Sequence, residues 1–139
     1  MLKNYLLCDI INVNLDIKPW NIIFLNWDLA AWKTTLTKHI LNNLFNINKE
    51  ITSPTYTYYN KYDFLNNWKK INIYHFDLYR LNNYEEFIHI WWEEILDDEN
   101  NISIIEWPDI IKNYYNPNID VYLSKTSNKN ERSIKIKYN

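Results

Sequence analysis

The chain contains no glycine among its 139 residues, and this absence constrains its fold more than any other feature of the sequence. Average usage is roughly 7%, so about ten glycines are expected in a chain of this length. A compact fold needs residues with positive φ at turns and helix ends, where glycine has the smallest steric cost. Asparagine, which is abundant here, can take some of these positions. It cannot replace glycine in a loop whose main chain must touch a ligand.

Two of the seven tryptophans, Trp27 and Trp32, lie in the segment WDLAAWKTT at residues 27–35. Replacing both by glycine gives GDLAAGKTT, which fits the phosphate-binding pattern G-x-x-x-x-G-K-[ST]. The preceding run NIIFLN is typical of a buried strand, and apolar residues at helical spacing over 33–45 predict a helix. The segment therefore has the strand–loop–helix context that a phosphate loop requires. On the loop alone, two aromatic residues flanking a buried helix are an equally good interpretation.

A difference between codon tables offers one explanation for tryptophan at positions where the motif has glycine. Asn, Lys, Ile and Tyr are abundant, and their codons can be written with A and U alone, which indicates an A/U-rich gene. Some bacterial lineages read UGA as glycine, whereas a common alternative table reads it as tryptophan. We hypothesise that several of the tryptophans are glycines translated with the wrong table. UGG codons at positions 27 and 32 would refute this hypothesis.

Composition excludes several classes of protein. Hydrophobic residues make up 47% of the chain and charged residues 23%, which is close to globular usage. The net charge of -2 gives no electrostatic footprint for nucleic acid, and a single cysteine excludes an internal disulfide framework. No apolar run approaches the roughly 20 residues of a membrane helix, and the N-terminus lacks the features of a signal peptide. We therefore expect a cytoplasmic protein with one domain over residues 1–139.

The order of predicted elements indicates an α/β domain, because strands and helices mix along the chain. The predicted helices cover 4–16, 33–45 and 83–96, the last opened by Asn83 as an N-cap. The predicted strands cover 21–26, 55–62, 71–76, 102–106, 118–123 and 132–137.

Three further motifs follow the loop: SPTYT at 53–57, HFDLYRL at 75–81 and EWP at 106–108. In order and spacing, the four motifs resemble the bacterial TsaE (YjeE) family of small P-loop ATPases. That family's pattern is GDLGAGKTT, SPTF/Y, HFDLYR and EWP, and the match covers about residues 18–108. The resemblance implies one P-loop NTPase-like α/β domain with a mixed, mostly parallel sheet flanked by helices.

The same resemblance implies a function. The protein would bind and hydrolyse ATP with Mg²⁺ and support threonylcarbamoyl transfer to adenosine 37 of tRNA. Its partners would be TsaD-like and TsaB-like subunits, with tRNA contacted only indirectly and no membrane involved. Two alternatives remain. If the letters are literal, the chain is a scaffold of the same fold that binds no nucleotide and docks the partner subunits. A small-molecule kinase is less favoured, because nothing resembles a phosphoacceptor-binding lid.

The resemblance also assigns roles to individual residues. The catalytic set is Lys33, Asp77 and Glu106, with Asp77 acting in Walker-B style or orienting the attacking water. Magnesium would be held by Thr34 and Glu106, the latter directly or through water. The nucleotide-binding set is Trp27, Asp28, Leu29, Ala30, Ala31, Trp32, Lys33, Thr34, Thr35 and Arg132. The switch-like segment is Ser53, Pro54 and Thr55.

Other interpretations of these residues stay open at this point. Asp77 could be a turn or cap residue, Glu106 a solvated charge at a strand end, and Thr55 a turn residue after Pro54. His75 alternates with Asp77 and is best interpreted as a satisfied core histidine.

Five tryptophans fall at glycine positions of the family pattern, whereas Trp107 is tryptophan in the family too. The five are Trp20, Trp27, Trp32, Trp68 and one of Trp91 and Trp92, with Trp91 favoured. Two departures from the pattern are Ala30, which often is glycine in the family, and a short N-terminus lacking the family's extra first strand.

Overall fold

The computed structural model describes residues 2–27, 32–47, 50–52, 54, 56–90 and 92–139. Seven strands of the described chain form one sheet: β1 (Leu2–Leu6), β2 (Ile22–Trp27), β3 (Tyr59–Asn66), β4 (Lys69–Asp77), β5 (Asn101–Glu106), β6 (Ile119–Lys125) and β7 (Glu131–Tyr138). The helices are α1 (Lys33–His39), α2 (Tyr84–Ile88) and α3 (Glu93–Asp97). Helix α1 continues into a π-helical turn (Ile40–Leu44), and two short 3₁₀ helices cover Leu7–Asn12 and Pro108–Ile110.

The sheet is mixed, with parallel strands at its centre. Its order is β1-β7-β6-β2-β5-β4-β3. Strand β2 lies parallel to both β5 and β6, and β4 lies parallel to β5. The outer pairs, β3 with β4, β6 with β7 and β1 with β7, are antiparallel. All six residues of β5 are buried, as expected for a central parallel strand covered on both faces. The α/β fold class is therefore confirmed.

Alternation along the central strands divides the core between two faces of the sheet. On one, the α1 face, aliphatic strand residues pack against α1 and the π-helical turn: Ile23, Leu25, Ile71, Ile73, Ile102 and Ile104 against Leu36, Ile40 and Leu41. On the other, the aromatic face, larger side chains pack against residues of α2 and α3: Phe24, Phe76 and Ile105 against Phe87, Trp92 and Leu96. None of the helices in the described ranges is long and apolar enough to cross a membrane.

Two predicted helices were wrong in part. Residues 4–16 do not form a helix: the chain begins with β1 and continues into the first 3₁₀ helix. Strand β1 gains its hydrogen bonds from β7, more than 120 residues later in the sequence, and local periodicity does not reveal such a partner. The predicted helix over 83–96 is two helices, because the chain turns inward before α3 and buries Trp92 on the aromatic face.

The remaining elements follow the prediction with shifted ends. The strand predicted over 55–62 begins later, at Tyr59, because Tyr58 has a φ of 64° and breaks the extended conformation. Asn83 caps α2 as predicted, since its side chain accepts a hydrogen bond from the Glu86 main-chain N–H at 2.9 Å. Residues 2–6, for which no strand was predicted, form β1.

Several tryptophans have main-chain conformations that favour glycine. The φ angle is 69° at Trp20, 104° at Trp32 and 67° at Trp68. For a bulky residue such values are outliers, because Cβ crowds the neighbouring carbonyl oxygen. Trp107 has a φ of 57° as well, although it matches a tryptophan of the family pattern, so φ alone does not separate the two groups. Trp27 ends β2, and Trp91 lies outside the described residues.

Candidate functional site

The candidate site lies where three parallel strands end side by side. The register pairs Asp77 at the end of β4 with Glu106 at the end of β5, and Glu106 also lies beside Leu25 of β2. Strand β2 ends at Trp27, five residues before Trp32 and the start of α1. In open α/β sheets, ligands bind outside the carboxyl ends of the strands. Both predicted carboxylates therefore lie at the edge of the sheet where β2 also ends, on the α1 face.

The two carboxylates are buried and held by hydrogen bonds. Glu106 is 1% exposed, and its Oε1 lies 2.8 Å from Nε2 of His75. Asp77 is 5% exposed, and its Oδ1 accepts a hydrogen bond from the Tyr79 main-chain N–H at 3.1 Å. Glu106 is therefore not a solvated charge at a strand end. Asp77 also stabilises the turn that follows β4 through its bond to Tyr79.

Trp32 lies directly before α1, and its main-chain conformation is unusual for a residue with a side chain. Trp32 precedes the helix with φ 104° and ψ -9°, and its carbonyl accepts the first helical hydrogen bond, from the Leu36 N–H at 2.8 Å. Its side chain makes no capping hydrogen bond. Thr34 and Thr35 are half-buried in the first turn. The main chain at Trp32 thus has the conformation that the motif assigns to glycine.

Arg132 lies beside this helix start. Its guanidinium carbon is 4.8 Å from the centre of the Trp32 ring, and Trp32 is only 8% exposed. The guanidinium also donates hydrogen bonds to the main-chain oxygens of Lys129 and Glu131, at 2.9 and 2.7 Å. Strand β7 therefore brings Arg132 close to the start of α1, where its guanidinium lies over the Trp32 ring.

Several predicted site residues lie outside the described ranges: Asp28, Leu29, Ala30, Ala31, Ser53 and Thr55. Of the switch-like segment, Pro54 is described; it is buried, and its carbonyl accepts a hydrogen bond from the Thr57 N–H at 3.1 Å. The structure places Lys33 as the first residue of α1. The functional roles of all the residues in this paragraph, including Lys33 and Pro54, stay predictions.

The residues present fit a magnesium–nucleotide complex in their donor chemistry. Within the described ranges, no cluster of three or more His, Cys, Asp and Glu side chains could hold a metal by protein ligands alone. Magnesium does not need one, because it is usually held by one or two carboxylates together with substrate phosphates and water. Glu106, Asp77 and the Thr34 hydroxyl supply hard oxygen donors of this kind. The residue that fits poorly is Trp32, through its side chain and not its main chain.

Sequence reasoning missed two polar contacts between strands of the sheet. One is the hydrogen bond between His75 and Glu106, which joins residues 31 positions apart. The other lies on the aromatic face, where Asp120 accepts hydrogen bonds from Asn26 at 2.6 Å and from the Tyr122 hydroxyl at 2.9 Å. The bond to Asp120, together with burial, raises the pKa of Tyr122. The alternation of polar residues on β4 was a signal for the first contact; the second had none.

Comparison with known proteins identifies the family. A family model described as "Threonylcarbamoyl adenosine biosynthesis protein TsaE" matches residues 9–134. The chain belongs to the TsaE family. The TsaE protein of Rickettsia typhi is 35% identical over 122 residues, which are 88% of this chain and 81% of that protein. The corresponding protein of Borreliella burgdorferi is 43% identical over 89 residues, or 64% of this chain and 61% of that protein.

A solved structure supports the fold of this TsaE family member. The crystal structure of Bacillus subtilis YdiB superposes with a TM-score of 0.69, covering 99% of this chain and 84% of that one, at 19% identity. At that identity the likeness shows the fold alone. The family assignment gives the protein a role in tRNA threonylcarbamoyladenosine biosynthesis.

Proposed function

We propose that this protein binds ATP with Mg²⁺ at the ends of β2, β5 and β4 and hydrolyses it to support threonylcarbamoyl transfer to adenosine 37 of tRNA. The observation that carries the proposal is the pairing of Asp77 with Glu106 at adjoining strand ends, on the face covered by α1. Four ordered sequence motifs, which include these carboxylates, support it. The whole of residues 1–139 would act as one P-loop ATPase domain.

Phosphoryl transfer needs little from the protein beyond positioning and charge. Lys33 would supply positive charge at the phosphates, and Thr34 and Glu106 would hold magnesium, which neutralises charge on the β- and γ-oxygens when bound. Asp77 would complete the metal site or orient the attacking water. Burial of both carboxylates limits their side-chain freedom before any ligand arrives. Arg132 would add positive charge near the loop once position 32 is glycine.

The partners would be TsaD-like and TsaB-like subunits, in the cytoplasm, with tRNA reached only through them. The net charge of -2 supports an indirect role for tRNA, because direct binding of a polyanion requires a basic surface. Reconstitution with purified TsaD and TsaB subunits tests this directly: tRNA modification should require this protein together with ATP. Modification that proceeds equally well without the protein would contradict the proposal.

The binding experiment compares three chains. One carries glycine at positions 20, 27, 32, 68 and 91, a second keeps only Trp32 as tryptophan, and the third has the literal sequence. We expect saturable binding of ATP with Mg²⁺ by the first chain and none by the other two, measured by titration calorimetry. Circular dichroism on the same samples shows whether each chain is folded. A folded five-glycine chain that binds no nucleotide would reject the proposed function.

A second function is favoured by one observation. The Trp32 indole is buried in the core beside the start of α1, so the literal chain keeps its fold with a side chain where the motif places none. Such a chain would be a scaffold that docks the partner subunits without nucleotide. It predicts unchanged partner binding by the literal sequence, measured by co-purification, and no ATP-dependent stabilisation of its fold.

A further inference from the structure

Two buried histidines lie on the α1 face, and only one has both ring nitrogens in hydrogen bonds. His39 of α1 donates from Nε2 to the Val13 carbonyl at 2.7 Å and accepts at Nδ1 from the Asn43 amide at 2.6 Å. His75 of β4 is completely buried, and its Nδ1 has no hydrogen-bond partner in the part of the chain that the structure describes. Its Nε2 makes one contact, 2.8 Å from Oε1 of Glu106.

The sheet register explains how this contact forms. Asp77 pairs with Glu106, and His75 pairs with Ile104, so His75 is one diagonal step from Glu106 on the same face. The two positions that precede His75 in this row of β4 are Ile71 and Ile73, which are buried aliphatic residues, and the position that follows it is Asp77. An aliphatic side chain would therefore suit position 75 for packing. Burying an imidazole with one unpaired nitrogen costs free energy, which packing alone does not explain.

The hydrogen bond to Glu106 explains why position 75 carries a histidine and not an aliphatic residue. An ionised carboxylate only accepts hydrogen bonds, so in a contact with ionised Glu106 the Nε2 of His75 would carry the hydrogen and donate it. The side chains of His75 and Glu106 are 0% and 2% exposed, so water does not compete strongly for the bond. A charge-assisted hydrogen bond of this length restricts the rotation of the carboxylate. Glu106 is thereby held in one orientation at the end of β5.

We propose that His75 is a positioning residue, which holds the Glu106 carboxylate in the orientation that a magnesium–nucleotide complex requires. The inference rests on the proposed function for its effect on metal binding, whereas the hydrogen bond itself does not depend on it. Side chains that orient a metal ligand typically change metal affinity or activity by about 10–100-fold when they are replaced. His75 would act through Glu106 and would not touch the substrate.

The test uses three variants in the form of the chain that binds nucleotide. His75→Leu removes the donor, His75→Gln places an amide nitrogen near the position of Nε2, and His75→Asn is too short to reach it. We expect His75→Leu and His75→Asn to lower the hydrolysis rate about 10–100-fold and to raise the Mg²⁺ concentration at half-maximal rate. His75→Gln should restore most of both. The affinity for ADP measured without magnesium should not change.

His39→Leu is the matched control, because it also removes a buried histidine from the α1 face. It should lower the melting temperature without changing the Mg²⁺ dependence. If His75→Leu does not fold, the contrast between His75→Gln and His75→Asn still decides the question. Equal Mg²⁺ dependence in these two variants would overturn the proposal and leave His75 as a core residue.

A second measurement needs no activity. Nuclear magnetic resonance of isotope-labelled histidine in the nucleotide-free protein should show His75 with its hydrogen on Nε2, and the Nε2 signal should shift in Glu106→Ala. A hydrogen on Nδ1, or no response to Glu106→Ala, would overturn the proposal even if ATP is hydrolysed. If the parent chain binds no nucleotide, the proposed function fails; an Nε2 hydrogen that responds to Glu106→Ala would then still support the positioning contact.

Discussion

Trp32 and Trp92 are both buried tryptophans that stand directly before a helix, yet their surroundings differ completely. Trp92 is 1% exposed, has a φ of -77° and lies 5.1 and 5.3 Å from the rings of Phe76 and Phe87. Trp32 has a φ of 104°, and its ring lies in the aliphatic core of the α1 face, 4.8 Å from the Arg132 guanidinium carbon. The aromatic face is built around Trp92, whereas the main chain before α1 has a conformation that opposes any side chain at position 32.

Burial alone therefore does not show that a side chain belongs at its position. Both indoles are removed from water, which favours folding by a similar amount. Only Trp32 also has a main-chain cost, about 1–2 kcal/mol for a residue with Cβ in the left-handed region. The structure therefore separates a tryptophan that the fold requires from one that it accommodates.

The largest expected effect is at position 92. Trp92→Gly should lower the free energy of unfolding by at least about 3–5 kcal/mol, because it leaves a cavity among aromatic rings. The loss of unfolding free energy for Trp32→Gly should be smaller than that for Trp92→Gly by about 1–2 kcal/mol or more, since glycine removes the main-chain strain at position 32. Chemical denaturation of both variants measures the difference. Equal losses at the two positions would break the comparison.

The helix starts themselves provide a second contrast. Asn83 caps α2 through a 2.9 Å hydrogen bond from the Glu86 N–H, whereas Trp32 offers α1 no such bond. Asn83→Ala should therefore lower the free energy of unfolding by about 1 kcal/mol. Asn83→Ser, which keeps a capping oxygen, is the control and should restore most of the loss. An Asn83→Ala variant as stable as the parent would show that this cap is not needed.

Trp68 tests main-chain strain without burial. It is 97% exposed and has a φ of 67° in the turn between β3 and β4. Trp68→Gly should raise the free energy of unfolding by about 0.5–1 kcal/mol, since relief of strain exceeds the entropy cost of glycine. Trp68→Ala removes the same indole but keeps Cβ, so it should give no gain. If both variants behave alike, the indole and not φ determines the stability of this turn.

The smallest effect concerns Arg132. Its contact with the Trp32 ring should contribute about 0.5–1 kcal/mol, as expected for a cation over an aromatic face. A double-mutant cycle with Arg132→Gln and Trp32→Gly measures this coupling. In the glycine background, Arg132→Gln should cost only the guanidinium hydrogen bonds to the main-chain oxygens of Lys129 and Glu131. In the five-glycine chain the same change should also weaken ATP binding. A coupling energy of zero would mean that the ring contact has no stabilising role.

The sequence predicted the parts of the site that depend on local order. The strand before the loop, the helix after it and the strand ends at Asp77 and Glu106 all follow from short patterns. Alternation along β4 placed His75 and Asp77 on one side of the sheet. The partner of His75 could not be predicted, because Glu106 is 31 residues away and the register decides which residues meet.

The failures of prediction have related physical causes. The end of strand β1 was predicted as the start of a helix over 4–16, since the pairing of β1 with β7 depends on residues more than 120 positions apart. The division of the predicted helix over 83–96 depends on the pocket that receives Trp92, to which β4 and α2 both contribute. Neither feature has a local signal. In contrast, the absence of glycine is evident from composition alone. Three of the five tryptophans at glycine positions of the family pattern, Trp20, Trp32 and Trp68, have positive φ angles.

The most direct test of the account is the mass of the peptide that spans residues 27–32 in protein isolated from its natural source. We predict glycine at positions 27 and 32, because a loop that binds a triphosphate would bring its main-chain N–H groups against the phosphates. Tandem mass spectrometry that finds tryptophan at both positions would contradict it and would favour the scaffold that binds no nucleotide.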